Sequence, residues 1–135
     1  MVEKIFVNGT FDILHRGHLE LLRYAKSLGA ELLVCIDSDS RVKELKGLDR
    51  PFNNTNDRKY FLESLKFVKE VVTFDSRQEL IQLVKEYQPD YMVVGDDYKD
   101  QQVFGSEHAK NLIFFEKIPT YSTTKILNYE NSSNR

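Results

Sequence analysis

Short apolar runs alternate with amphipathic stretches along the whole chain. The runs Lys4 to Asn8, Glu31 to Ile36, Val71 to Phe74, Tyr91 to Val94 and Leu112 to Phe115 are almost continuously apolar. That is the pattern of strands buried on both faces. Between the first two runs, Leu19, Leu21, Leu22, Ala25 and Leu28 recur at helical spacing, which predicts a helix from Gly17 to Leu28. Gly29 is placed to close it as a left-handed cap. Asp37-Ser38-Asp39-Ser40 predicts the cap of a short helix, Arg41 to Leu45, and Gly47 to Asn54 reads as a loop around Pro51. Thr55 or Asn56 would cap the next helix, Asp57 to Lys66, with Tyr60, Phe61, Leu62 and Leu65 turned inward. Ser76 and Glu79 match a capping box, and Leu80, Ile81, Leu83, Val84 and Tyr87 follow at helical period until Pro89. A short helix is expected over Gly105 to Lys110, and Ser122 would cap a last turn, Thr123 to Asn128.

Strands alternating with helices predict an α/β fold: a Rossmann-like, doubly wound, parallel five-stranded sheet with helices on both faces. Residues 1–128 are expected to form one domain and residues 129–135 a polar, Asn/Ser-rich tail. In such sheets ligands bind at the carboxyl ends of the strands. This places Asn8-Gly9-Thr10, Asp37-Ser38, Phe74-Asp75 and Gly95-Asp96-Asp97 on one rim.

Composition narrows the picture in three ways. The net charge of −2 supplies no global field to recruit nucleic acid or an anionic membrane. The one cysteine, Cys35, excludes an internal disulfide and sits within an apolar run as a core residue. No signal peptide and no bilayer-spanning apolar stretch is visible, so a cytoplasmic location is expected.

The polar stretch that stands out follows the first strand: Asn8-Gly9-Thr10-Phe11-Asp12, then His15-Arg16-Gly17-His18. It reads as strand, glycine turn and helix start. A helix start carries unpaired N–H groups and partial positive charge, which suits an anion. His15 and His18, three apart, can face the same side of a turn. They read as ordinary cap histidines, as metal ligands, or as paired donors to phosphate. The metal reading lacks partners, since the remaining histidine is His108 and Cys35 belongs to the core. Gly17 would let the chain pass close to a ligand, and Thr10 offers an N–H and a hydroxyl. A second cluster sets six cations (Arg41, Lys43, Lys46, Arg50, Arg58, Lys59) against three anions between positions 41 and 59.

These motifs resemble the G-T-F-D…H-x-G-H signature of the cytidylyltransferase-like nucleotidyltransferase superfamily. Gly95-Asp96-Asp97 and Ser122-Thr123-Thr124-Lys125-Ile126 resemble its later motifs, in the same order and over nearly the whole chain. Lys46-Gly47-Leu48-Asp49-Arg50-Pro51 and Gly95-Asp96-Asp97-Tyr98-Lys99 are most similar to the heptose 1-phosphate adenylyltransferase branch. The glycerol-3-phosphate cytidylyltransferases come next, but Lys117 to Thr124 lacks the arginine and glycine usual there.

The resemblance implies transfer of a nucleotidyl group from an NTP, ATP or CTP, to a phosphomonoester, with release of pyrophosphate and Mg2+ carried with the NTP. A phosphomonoester is mostly dianionic at neutral pH and needs no base to activate it. His15, His18 and Lys46 are then expected to stabilise the reacting phosphates. Gly9, Thr10, Phe11, Gly17, Asp97, Ser122, Thr123 and Thr124 would hold the nucleotide. Arg58 would contact the acceptor or order the loop. Asp12 would bind the acceptor's hydroxyls or cap the helix. No residue is assigned as a metal ligand, and a homodimer is implied. The contrasting expectation is a nucleotide-binding regulator without catalysis.

Overall fold

Each strand has an apolar centre, and alternation of its side chains decides which helix it meets. The computed structural model describes residues 3–96 and 99–116. β1 (Lys4–Gly9), β2 (Glu31–Asp37), β3 (Glu70–Phe74), β4 (Tyr91–Gly95) and β5 (Asn111–Phe115) form one sheet in the order β3-β2-β1-β4-β5, with every neighbouring pair parallel. Joining them are α1 (Arg16–Ser27), α2 (Asp39–Lys46), α3 (Thr55–Glu63), α4 (Arg77–Tyr87) and a 3-10 turn at Ser106–His108. The α/β architecture read from the alternation is the one the chain adopts.

On one face Ile5, Val7, Leu32, Val34, Ile36, Val71 and Val93 pack with Leu21, Leu22 and Ala25 of α1 and Leu62 of α3. On the other, Phe6, Leu33, Cys35 and Met92 pack with Leu80 and Val84 of α4. The period-two alternation of a strand thus operates inside apolar runs. Burial pushes the Cys35 thiol up to about 12, with the Glu70 carboxylate adding to it, so this thiol is an inert core group. The chain leaves β1 toward β2 and β3, then returns to the opposite side of β1 for β4. The strand order reverses at the β1–β4 boundary, where such sheets open a crevice. Among the described residues no helix is long and apolar enough to cross a membrane.

Several local expectations change. α1 does not end in a left-handed glycine: Leu28 caps it at φ −83°, ψ −16°. Gly29 is needed for close approach instead. A Cβ there would lie 2.8 Å from Glu3 Cβ and 2.9 Å from Glu3 O, while the amides of Ala30 and Glu31 both donate to that oxygen. α3 is capped by Asn54, whose side chain accepts from the Asp57 amide, rather than by Thr55 or Asn56. Its inward face carries Arg58 and Leu62, one turn apart, which turns Tyr60 and Phe61 outward (69% and 43% exposed).

At α4 the Ser76 hydroxyl accepts from the Glu79 amide, but Glu79 reaches the Asp75 amide, one residue short of a reciprocal box. Gln88, left-handed at φ 52°, ends that helix one residue before Pro89. The helix expected over Gly105 to Lys110 contracts to the 3-10 turn. The last turn Thr123 to Asn128 and the tail 129–135 lie outside the described residues.

Gly29→Ala is expected to destabilise the fold by about 1–3 kcal/mol, because backbone rather than a flexible side chain stands in the way. Urea unfolding midpoints would check this; an unchanged midpoint contradicts the close-approach role.

Candidate active site

The carboxyl ends of β1 and β4 open into a cleft of about 430 Å³, lined by Val7 to Asp12, Val93 to Gly95 and side chains from the flanking loops. The local sequence explains its first wall. β1 ends at Gly9, and the chain then turns through Phe11 at φ 51°. A left-handed conformation is strained for an aromatic residue and persists only where the surroundings hold it. Here the Phe11 ring is buried and lies against Gly9, where a Cβ would stand 3.0 Å from Phe11 Cε2. Gly9 therefore makes room for this ring as well as exposing backbone to the cleft.

The two histidines form the start of α1. The Gly17 amide donates to His15 Nδ1 at 3.0 Å, and the His15 amide donates to His18 Nδ1 at 3.3 Å. Imidazoles thus replace the Ser and Glu of an ordinary capping box. Their rings stack at 3.8 Å and 21°, and the edge of Phe11 meets His18 at 5.2 Å. Because both Nδ1 atoms accept, the ring proton of each resides on Nε2. The cap thereby fixes two N–H donors beside a helix N-terminus, and His18 lines the cleft. Gly17 contributes its amide to that cap. Thr10 also lines the cleft, its hydroxyl donating to Asp37 at 3.3 Å. Lys46, the last residue of α2, lines it too.

Two expected acceptor-binding residues are used by the protein itself. Arg58 is fully buried, and all five of its N–H groups are spoken for. Nε donates to Asn53 O, Nη1 to Thr10 O and Asp37 O, and Nη2 to the Asp39 carboxylate and the Thr55 hydroxyl, at 2.8–3.3 Å. It orders the loop and has no donor left for a ligand. Asp12, 2% exposed, accepts from the amides of Phe52 and Asn53 at 2.8 Å and from Arg50 Nε at 3.1 Å. It anchors the loop between α2 and α3. It lines the cleft but does not cap α1, a role taken by His15. Asp39, which burial alone would push up, is held below the usual carboxylate range by hydrogen bonds from Thr55 and by the Arg58 guanidinium.

The other wall is one that the motifs do not point to. Arg77, in the first turn of α4, lies with its guanidinium 4.0 Å from the centre of the Phe104 ring, and both line the cleft. A sequence signal for it exists: Arg77 follows the carboxyl end of β3 almost directly, on the predicted rim. Asn8 also lines the cleft, and among the described residues nothing donates to its buried Oδ1. No group of three His, Cys, Asp or Glu side chains suited to a metal occurs among the described residues. Asp97 and Ser122, Thr123 and Thr124 lie outside the described residues.

Comparison with known proteins decides what this cleft belongs to. The family model described as Cytidylyltransferase-like matches residues 6–128. The chain belongs to the cytidylyltransferase-like family. This nucleotidyltransferase is 48% identical over 125 residues to the bifunctional protein HldE of a Nitratiruptor species, covering 91% of this chain and 26% of that protein. It is 44% identical over 123 residues to HldE of Helicobacter pylori (strain G27), again covering 91% of this chain and 26% of the relative. The nucleotidyltransferase thus spans about a quarter of the length of these curated relatives. A solved structure described as the lipopolysaccharide core biosynthesis protein from Thermoplasma volcanium GSS1 superposes with a TM-score of 0.71 at 25% identity, over 85% of this chain and 98% of that one.

Arg58→Ala is expected to lower stability by about 3 kcal/mol, since it strands buried carbonyls and unpairs Asp39. A denaturation midpoint close to wild type, with a specific rise in acceptor KM, would return Arg58 to a substrate role.

Proposed function

We propose that this nucleotidyltransferase transfers the adenylyl group of ATP to a sugar 1-phosphate, a heptose 1-phosphate, releasing pyrophosphate. The supporting observation is the histidine cap at the rim. It holds two preorganised Nε2–H donors at a helix N-terminus beside a cleft of nucleotide size. The choice of ATP and heptose rests on the similarity to HldE.

An oxygen of the dianionic acceptor phosphate attacks the α-phosphorus, forming one P–O bond. The bond from the α-phosphorus to the bridging oxygen breaks, and its electron pair leaves with pyrophosphate. No proton has to be removed from the nucleophile, so alignment and charge stabilisation suffice. His15 and His18 donate to phosphate oxygens that gain charge in the transition state. Lys46 neutralises the departing pyrophosphate. The backbone of Gly9, Thr10 and Phe11 shapes the pocket, the Gly17 amide keeps the His15 ring in place, and Asp97, Ser122, Thr123 and Thr124 complete the nucleotide site. Members of this family typically use Mg2+, which enters on the triphosphate and offsets its charge. We place the enzyme in the cytoplasm as a homodimer. The exposed Leu48, Phe52 and Tyr60 supply apolar area for a subunit contact.

Pyrophosphate release measured with ATP or CTP against heptose 1-phosphate and glycerol 3-phosphate tests this reading. Turnover is expected with ATP and the heptose. Turnover only with CTP and glycerol 3-phosphate replaces the substrates, and nucleotide binding without any turnover identifies a regulator. His15→Ala and His18→Ala are each expected to lower kcat about 100-fold, the scale of one preorganised donor, and Lys46→Ala to lower kcat at unchanged melting temperature. Normal kcat in either histidine variant removes the assigned role.

A further inference from the structure

With every donor of Arg58 taken up by the fold, another group must hold the acceptor phosphate. Three arginines line the cleft: Arg41, Arg50 and Arg77. Two are committed. Arg41 Nε lies 2.9 Å from the Asp37 carboxylate and Arg50 Nε 3.1 Å from the Asp12 carboxylate. Arg77 differs. Among the described residues no carboxylate pairs with it, and its partner is the face of Phe104 at 4.0 Å. Stacking fixes the plane of a guanidinium while leaving its N–H edge unspent. A positive group held in a substrate cleft without a counter-charge is matched to an anion that arrives with the substrate.

The fold says which anion. The histidines belong to α1, which packs on one face of the sheet, whereas Arg77 belongs to α4, which packs on the other. The cleft runs across the end of the sheet between them. In phosphoryl transfer the attacking and leaving oxygens lie roughly in line on opposite sides of the phosphorus. With the triphosphate on the histidine side, the nucleophile approaches from the α4 side.

We infer that Arg77, backed by Phe104, is the subsite for the phosphate of the acceptor sugar phosphate. This rests on the functional reading above and extends it by giving the acceptor a specific wall. Arg77 binds the acceptor directly; Phe104 is a positioning residue that keeps the guanidinium flat.

Steady-state kinetics on Arg77→Ala, Arg77→Lys, Phe104→Leu and Phe104→Tyr test the assignment. Arg77→Ala is expected to raise the KM for the heptose 1-phosphate by on the order of 10-fold or more, the scale of a charge-assisted pair, while the KM for ATP stays within about twofold. Arg77→Lys shows a smaller rise, because it keeps the charge without the fork. Phe104→Leu raises the acceptor KM, and Phe104→Tyr, which keeps the ring, restores it. A rise in the KM for ATP instead makes Arg77 a triphosphate contact and overturns the inference, as do unchanged constants. Calorimetric titration of heptose 1-phosphate and of inorganic phosphate into the wild type and Arg77→Ala separates this outcome from failure of the proposed reaction. If the wild type shows no turnover, loss of sugar-phosphate binding in Arg77→Ala still supports the subsite. Equal binding by the two proteins refutes it.

Discussion

The buried guanidinium of Arg58 is the constraint on which this active end depends. It joins Thr10 after β1, Asp37 at the end of β2, Asp39 at the start of α2, Asn53 in the following loop and Thr55 at the start of α3. Carbonyls at the carboxyl ends of parallel strands have no further strand to pair with, yet here they lie in the interior. A buried arginine is costly to desolvate and becomes favourable only when every N–H finds an acceptor. That condition works in both directions. The five acceptors satisfy the guanidinium, and the guanidinium sets their relative positions. Asp12 does the complementary work, taking amides of the same loop onto its carboxylate.

These paired charges free the rest of the rim for chemistry. α2 starts at a Ser38 cap flanked by Asp37 and Asp39, which both accept from Arg58, and delivers Lys46 to the cleft from its other end. The histidine cap does the same for α1: the hydrogen bonds that stabilise the helix start are those that set the ring tautomers. Structural demand and the proposed catalytic role meet in the same two rings: the Nδ1 of each accepts within the helix cap, which sets the proton on Nε2. The arginines divide in the same way. Those with carboxylate partners stiffen the site, and the one stacked on an aromatic ring retains hydrogen-bonding capacity for substrate.

Much of the fold is legible in the chain, for local reasons. The five apolar runs become the five strands, since a strand buried on both faces must be apolar throughout. Ser76 caps the helix expected of it, and α2 is capped from within the expected stretch Asp37 to Ser40, by Ser38, because a cap needs only a side chain and an amide a few residues away. Where several polar neighbours compete for one cap, the chain alone does not choose correctly: Asn54, one residue before the candidates, caps α3. Tyr60 and Phe61 look like core because they are aromatic, but the phase of α3 is set by Arg58, a residue whose charge argues for the surface. Gly29 matters as its position suggests, but for a different cause, as its neighbour Glu3 lies far away in sequence.

The sequence by itself determined the elements, the rim they build and the histidine pair at a helix start, because periodicity and capping act over one or two turns. The motifs extended this to a family and a class of reaction. Only the tertiary structure decided which charged side chains the fold consumes and which line the cleft without a carboxylate partner. Arg58, Asp12 and Arg77 look alike in the chain, as charged residues near the predicted starts of helices. They part company because two meet buried backbone groups and the third meets an aromatic face. Backbone carbonyls and amides are the same at every residue and leave no mark in a sequence, so only the folded chain reveals which cations they consume.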